Sequence, residues 1–191
     1  MRLIIIDGLD AVGKDTHAKL IKKRYEAKGE RVVIRSHPEL DNFFGRKAKK
    51  ALFGRRKIDK LFASVFYMLD VLRSIKKYYR KKDYGTLIMV RYLMGTAYLP
   101  SRLTKVAYTF FENFVPTSDY MFFLDAHPDV LLKRVGNRRE KEMFETFDEL
   151  LKVRKKALLL AEHWNIVDTS GSPMETFSHI ERMLDRLDRR K

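Results

Sequence analysis

Met1-Arg2-Leu3-Ile4-Ile5-Ile6-Asp7-Gly8-Leu9-Asp10-Ala11-Val12-Gly13-Lys14-Asp15-Thr16 opens the chain, and its reading decides the fold. Leu3 to Ile6 is a short apolar run rich in β-branched residues and ended by Asp7-Gly8, the pattern of a buried strand. Gly8, four further residues, Gly13 and Lys14 follow, and then a segment with helical periodicity. Strand, glycine loop and helix in that order form a phosphate-cradling P-loop. The glycines let successive backbone N–H groups turn inward with no Cβ in the way. The helix that starts near Lys14 adds unpaired donors and the positive end of its dipole. Lys14 supplies a point charge for the β and γ phosphates. The residue after the lysine, where a P-loop carries the Ser or Thr that ligates Mg²⁺, is Asp15, and the hydroxyl comes one later at Thr16. An aspartate can hold magnesium directly or through water, so Asp15 is the expected metal ligand.

Outward from this loop, the 191 residues, 45% of them apolar, are enough for one domain over 1–191 with an ample core. There is no cysteine, which excludes a disulfide framework and thiolate metal sites. No run approaches the roughly 18 apolar residues that span a bilayer, and the N-terminal run enters the P-loop directly instead of acting as a signal peptide. A cytoplasmic protein with no membrane partner is expected. The net charge is +15, from 40 Lys and Arg against 25 Asp and Glu, and much of it lies between residues 46 and 82. Such a stretch suits a nucleic-acid partner. No zinc-finger, RNA-recognition or helix-turn-helix pattern accompanies it, so a solvated helix face is the preferred reading.

Along the chain, helical and strand patterns alternate. Thr16 to Lys28 reads as a helix closed by Gly29, and Arg31 to Arg35 as a strand leading into Ser36-His37-Pro38. Residues 40–53 read as an irregular helix with Gly45 and Gly54 as breakers. Apolar positions at helical spacing predict a long helix over 58–79. Thr86 to Val90 is a third strand with Arg91-Tyr92 at its carboxyl end, and a helical stretch interrupted at Pro100-Ser101 runs to about Phe114. Tyr120 to Leu124 is a fourth strand, followed by a short helix through Leu131 and Val135 and by the charged segment Gly136 to Glu142. A helix over 144–163, a short strand over 164–169 and a closing helix over 174–187 complete the pattern. Alternation of this kind implies an α/β, three-layer P-loop NTPase fold: a five-stranded parallel sheet flanked by helices.

Phosphoryl transfer needs charge neutralisation and alignment more than covalent help. Arg35 and Arg91, at the carboxyl ends of their strands, are expected to face the P-loop and hold an acceptor's phosphate. Arg138 and Arg139, on a segment able to close, could reach the transferring phosphoryl from the other side and exclude water.

With these residues in place, most of the chain resembles the thymidylate kinase family of nucleoside monophosphate kinases. Gly8-Leu9-Asp10-Ala11-Val12-Gly13-Lys14-Asp15-Thr16 looks like the family's glycine loop, which implies that Asp10 contacts the sugar 3′-hydroxyl. Val90-Arg91-Tyr92 is similar to its Asp-Arg-Tyr motif, which implies that Arg91 binds the acceptor phosphate. Ala97-Tyr98 is similar to the aromatic that crowds a ribose 2′-hydroxyl. Phe123-Leu124-Asp125 with Pro128, Leu132 and Arg134 resembles the strand and helix before the family's LID, here about 136–143. Glu142, Phe144-Glu145, Val153-Arg154 and Asp168-Thr169-Ser170 follow in the family's order. Arg138 and Arg139 fall where one subclass carries its catalytic arginine, and Ala11 occupies the P-loop position where the other subclass carries it. Adenine would lie near Arg134 and the turn that begins at Ser170.

Three positions depart from the family pattern. Val90 replaces the motif's aspartate, Asp15 replaces the magnesium hydroxyl, and Val71 stands where the family's base-contacting arginine belongs, with Tyr67 as the stacking aromatic. The first two changes can compensate if a carboxylate has moved from strand to loop. The third leaves the preferred base open. The resemblance implies ATP and Mg²⁺ as cofactors, dTMP as acceptor and dTDP as product, and a homodimer formed through helices flanking the sheet. Alternatives are a related kinase for another nucleotide or small phosphate acceptor, and a nucleotide-binding regulator with impaired catalysis.

Overall fold

A computed structural model describes residues 1–54, 57–79, 83–135 and 147–190. It contains five strands, β1 (Arg2–Gly8), β2 (Val32–Ser36), β3 (Thr86–Val90), β4 (Met121–Asp125) and β5 (Asn165–Asp168). All pair in parallel, in the order β2-β3-β1-β4-β5. The first strand is therefore central, and Ile4, Ile5 and Ile6 are fully buried because both faces of the sheet are covered. Each such side chain contributes about 1.5–3 kcal/mol relative to exposure.

The helices are α1 (Lys14–Glu26), α2 (Phe43–Leu52), α3 (Lys57–Ser74), α4 (Ser101–Phe114), α5 (Pro128–Val135), α6 (Phe147–Leu160) and α7 (Pro173–Asp188). The first and last of these pack on one another, as do α4 and α6. Ser172 and Glu175 form a reciprocal capping box at the start of α7, with Pro173 in its first turn. A bidentate pair from Arg154 to Asp125, at 2.8 and 2.7 Å, fastens α6 to the carboxyl end of β4.

Two expectations from the sequence need correction. Gly45 does not break a helix; it lies inside α2, where its N–H donates to the Asn42 cap at 3.0 Å. A Cβ there would come within 1.7 Å of the Glu39 carbonyl oxygen, so the glycine permits a close approach of backbone to backbone. The long helix ends at Ser74 and continues as a wider π-type turn over Ile75–Tyr79.

The amino-terminal rim of the sheet is closed by ionic bonds. Arg2 stacks on the Tyr25 ring at 4.1 Å and donates to Glu30, Thr86 and Asp188. Tyr25 and Tyr120 also donate to Asp188, so the last turn of α7 is locked to the first strand.

Candidate active site

Strand register brings the site together at the opposite rim. Ile6, Val90 and Ser36 are paired neighbours across β1, β3 and β2, so Asp7, Arg91 and His37 emerge side by side. The order of strands reverses around β1, and ligands gather outside the carboxyl ends at such a switch point.

The loop from Gly8 to Lys14 has the geometry its glycines promise. Gly8 has φ of 146°, and a Cβ on it would lie 2.2 Å from the Leu124 carbonyl oxygen. Gly13 caps α1 with φ of 89° and no side-chain acceptor, which leaves the helix N-terminus open as an anion seat. Ala11 holds a left-handed φ of 65°, local strain of the kind active sites store. Lys14 is enclosed by the loop: its Nζ donates to the Gly8 carbonyl at 2.8 Å and to the Leu9 carbonyl, and lies 3.7 Å from Asp10. Burial pushes its ammonium below the ordinary lysine range. Thr16 is exposed on the first turn of α1.

Beside the loop lies a cavity of about 430 Å³, bounded by Asp10, Lys14, Asp15, Arg91, Tyr67 and Tyr98 among others. Arg91 adopts a left-handed φ of 56°. Its Nη1 donates to Asp15 Oδ1 at 3.2 Å and to Ser36 Oγ at 2.7 Å, and its Nη2 to Asp15 Oδ2 at 2.8 Å. Ser36 Oγ donates to Asp15 Oδ1 at 2.7 Å. Burial opposes the charge on Asp15, but the hydrogen bonds and charge of Arg91, with help from Ser36, hold its carboxyl at about 2. At the far wall Tyr98 donates to Asp10 at 3.1 Å. The Tyr67 ring packs where a Cβ on Gly95 would meet it at 3.1 Å.

Of the residues expected from the sequence, Lys14, Asp10, Asp15, Arg91, Tyr67 and Tyr98 meet at this cavity. Arg134 bridges the P-loop to the turn after β5, reaching the carbonyls of Thr169 at 2.6 Å and Ala11 at 3.4 Å. Ser170 is nearby and donates to Asp168. The expectation for Arg35 is overturned. Successive strand residues face opposite sides, so with Ser36 turned to the P-loop, Arg35 turns away, paired with Asp41 and stacked at 4.6 Å on Tyr78. Val71 is buried in the core at 1% exposure and does not line the cavity. Arg138 and Arg139 lie outside the described residues.

The sequence gives Asp7 no role beyond ending its strand, and His37 none beyond a place beside Arg35 at the carboxyl edge of the sheet. Buried Asp7 accepts the backbone N–H groups of Tyr92, Leu93 and Met94 at 2.7 to 2.9 Å through one oxygen and that of Gly8 through the other. The signal was a carboxylate ending an apolar strand, which must find donors when buried. His37, at 1% exposure, places Nδ1 3.2 Å from the Val90 carbonyl. A carbonyl only accepts, so the hydrogen is on Nδ1 and Nε2 is a bare acceptor without a partner among the described residues.

Magnesium that rides on a nucleotide's phosphates needs only one or two protein carboxylates. Asp15 fits through water: its side chain is 50% exposed at the mouth of the loop, although both oxygens already bind Arg91. Among the described residues no group of three acidic or histidine side chains forms a metal cage of its own.

Both the fold and the sequence are similar to those of known proteins. The structure is similar to that of the thymidylate kinase from Candida albicans, with a TM-score of 0.79 at 16% identity, over 100% of this chain and 93% of that one. It is also similar to the deoxyadenosine kinase from M. mycoides solved with bound dATP, with a TM-score of 0.70 at 13% identity, over 96% and 99% of the two chains. At the level of sequence, the probable thymidylate kinase of Archaeoglobus fulgidus is 28% identical over 91% of this chain and 89% of its own length. The thymidylate kinase of Akkermansia muciniphila is 27% identical over 96% and 91%. The family model described as thymidylate kinase matches residues 6–180, and with the P-loop and the arginine-lined cavity on one rim the chain belongs to the thymidylate kinase family.

Proposed function

We propose that this protein transfers the γ-phosphoryl group of ATP to dTMP, releasing dTDP and ADP. The observation that carries the reading is a single cavity with Lys14 and an open helix N-terminus on one side and Arg91 on the other. The donor's phosphates take the loop, with Lys14 leaving the carbonyls of Gly8 and Leu9 for the β and γ oxygens. Adenine packs beside Arg134 and the turn at Ser170. The acceptor's phosphate meets Arg91, its sugar meets Asp10 and Tyr98, and its base lies on Tyr67. A phosphate oxygen of the acceptor forms a bond to the γ phosphorus as the bond to the β–γ bridging oxygen breaks. No general base is required, because the acceptor is already an anion. Asp15 would hold Mg²⁺ through water, and the ion would supply charge neutralisation. Arg138 and Arg139, on a LID over about 136–143 of a single domain, serve the same end.

The burial of Val71 favours a second reading, in which the acceptor is a nucleotide other than dTMP, because the arginine that reads thymine in this family has no equivalent there. Incubation with ATP, Mg²⁺ and each nucleoside monophosphate in turn, with ADP as readout, separates the two. The largest kcat/KM with dTMP supports the first reading, another preferred acceptor the second, and no acceptor-dependent ADP removes both.

A homodimer is part of the proposal. It is supported by the exposed stripe Leu103, Val106, Phe110 and Phe114 on α4 and by Phe62, Val65 and Leu72 on α3. Among the described residues no helix is long and apolar enough to cross a membrane, and a cytoplasmic setting fits that.

A further inference from the structure

A guanidinium is a planar fork with five N–H donors, and how it is held decides which of them remain for a ligand. Asp15 takes the distal edge of Arg91, one oxygen on each terminal nitrogen, at 3.2 and 2.8 Å. Ser36 Oγ accepts from the same Nη1 at 2.7 Å. Nε–H and the outer hydrogen of Nη2 are left, and neither meets an acceptor among the described residues. These two lie on the same side edge of the plane, parallel and spaced for two oxygens of one phosphate. That edge belongs to a residue lining the cavity. The strand residue preceding Arg91 is the fully buried Val90, which offers no polar partner, so the anionic partner of Arg91 comes from the P-loop itself.

We infer that Asp15 is a positioning residue for the acceptor site. It grips the distal edge of Arg91 and, with Ser36, presents the side edge to the acceptor's phosphate. The backbone of Arg91 is left-handed, a conformation that a non-glycine residue keeps only when its surroundings hold it. Asp15 holds the tip while the register of β3 holds the base. The gain is preorganisation: the side chain is ordered before the ligand arrives. This role deepens the reading of Arg91 as the acceptor's phosphate ligand and rests on it. It is distinct from the metal role, because it operates with no cation present.

Titration of dTMP into protein in EDTA, followed by calorimetry, reads acceptor binding without metal. Asp15→Ala is expected to weaken dTMP about tenfold, and Asp15→Asn and Ser36→Ala about threefold each, with metal-free ATP binding weakened in none of them. Thermal melts check that each variant is folded, and Ser36→Ala carries the test if Asp15→Ala is not. Unchanged or tighter dTMP binding in the folded Asp15 variants overturns the inference, including the case in which only the Mg²⁺ requirement of turnover moves. Arg91→Ala separates the two levels: if it leaves dTMP binding intact, the reading of Arg91 as phosphate ligand falls. If Arg91→Ala abolishes binding while the Asp15 and Ser36 variants keep it, only the positioning role falls.

Discussion

Two arginines mark the two rims of one sheet, and they are used in opposite ways. Arg2, at the amino-terminal rim, is turned into the fold: it lies on the Tyr25 ring, its Nε donates to Asp188, and its Nη1 donates to Glu30 and Thr86. Arg91, at the carboxyl-terminal rim, is held along one edge only, by Asp15 and Ser36. Both are kept firmly cationic by carboxylate partners. The difference is what surrounds them: the partners of Arg2 come from α1, β3 and α7, whereas Arg91 lines the cavity. An ion network spread over several elements fastens them together, whereas a guanidinium at a cavity wall has affinity in reserve for an anion.

Removing a cation from each rim separates the two uses most directly. Lys14→Ala is expected to lower kcat by about a thousandfold while leaving thermal stability unchanged or slightly raised, since burial of that ammonium opposes its charge. A melt well below wild type would mean that Lys14 is a structural cation like Arg2. Arg2→Ala is expected to do the reverse. It removes the partner that Glu30 and Asp188 share and should cost about 3 kcal/mol, a fall in Tm of roughly 6–12 °C, with the KM of both nucleotides unchanged. Altered KM values in that variant would show the two rims to be coupled.

His37 sharpens the contrast through pH. Burial holds its imidazole at about 4, below the ordinary 6.5, against the pull of its hydrogen bond to Val90; Arg35 nearby lowers it further and Glu39 raises it. The unfolded chain therefore binds this proton first as pH falls. Stability is fully present above pH 6.5, declines between 6.5 and 4, and levels off below, with about 3 kcal/mol lost across that window from this group. Urea denaturation at several pH values should give a flatter profile for His37→Phe by that amount. An identical slope in both proteins would mean that the imidazole takes up its proton at the same pH in the fold as in the unfolded chain.

What the sequence disclosed and what it withheld divide along physical lines. The strands and the P-loop were readable because β-branched runs and glycine spacing are local signals, and the order of elements agrees with the structure. Arg35 was misplaced because strand alternation turns on a single residue: with β2 ending at Ser36, the face that meets the P-loop belongs to the serine. Gly45 looked like a breaker because the Glu39 carbonyl that requires it is a neighbour in space alone. Asp15 was expected as a metal ligand, and its pairing with Arg91 depends on a register between β1, β2 and β3 that no local pattern encodes.

Asp7 has a consequence for which phosphates can react. Its carboxylate ends the strand that leads into Gly8 and also collects the amides of Tyr92, Leu93 and Met94, directly after Arg91. In the proposed arrangement one buried side chain is the fixed jaw of a gauge, setting the gap between the P-loop, proposed for the donor's chain of phosphates, and Arg91, proposed for the acceptor's single one. A nucleotide whose terminal oxygen fails to bridge that gap would be bound but not extended.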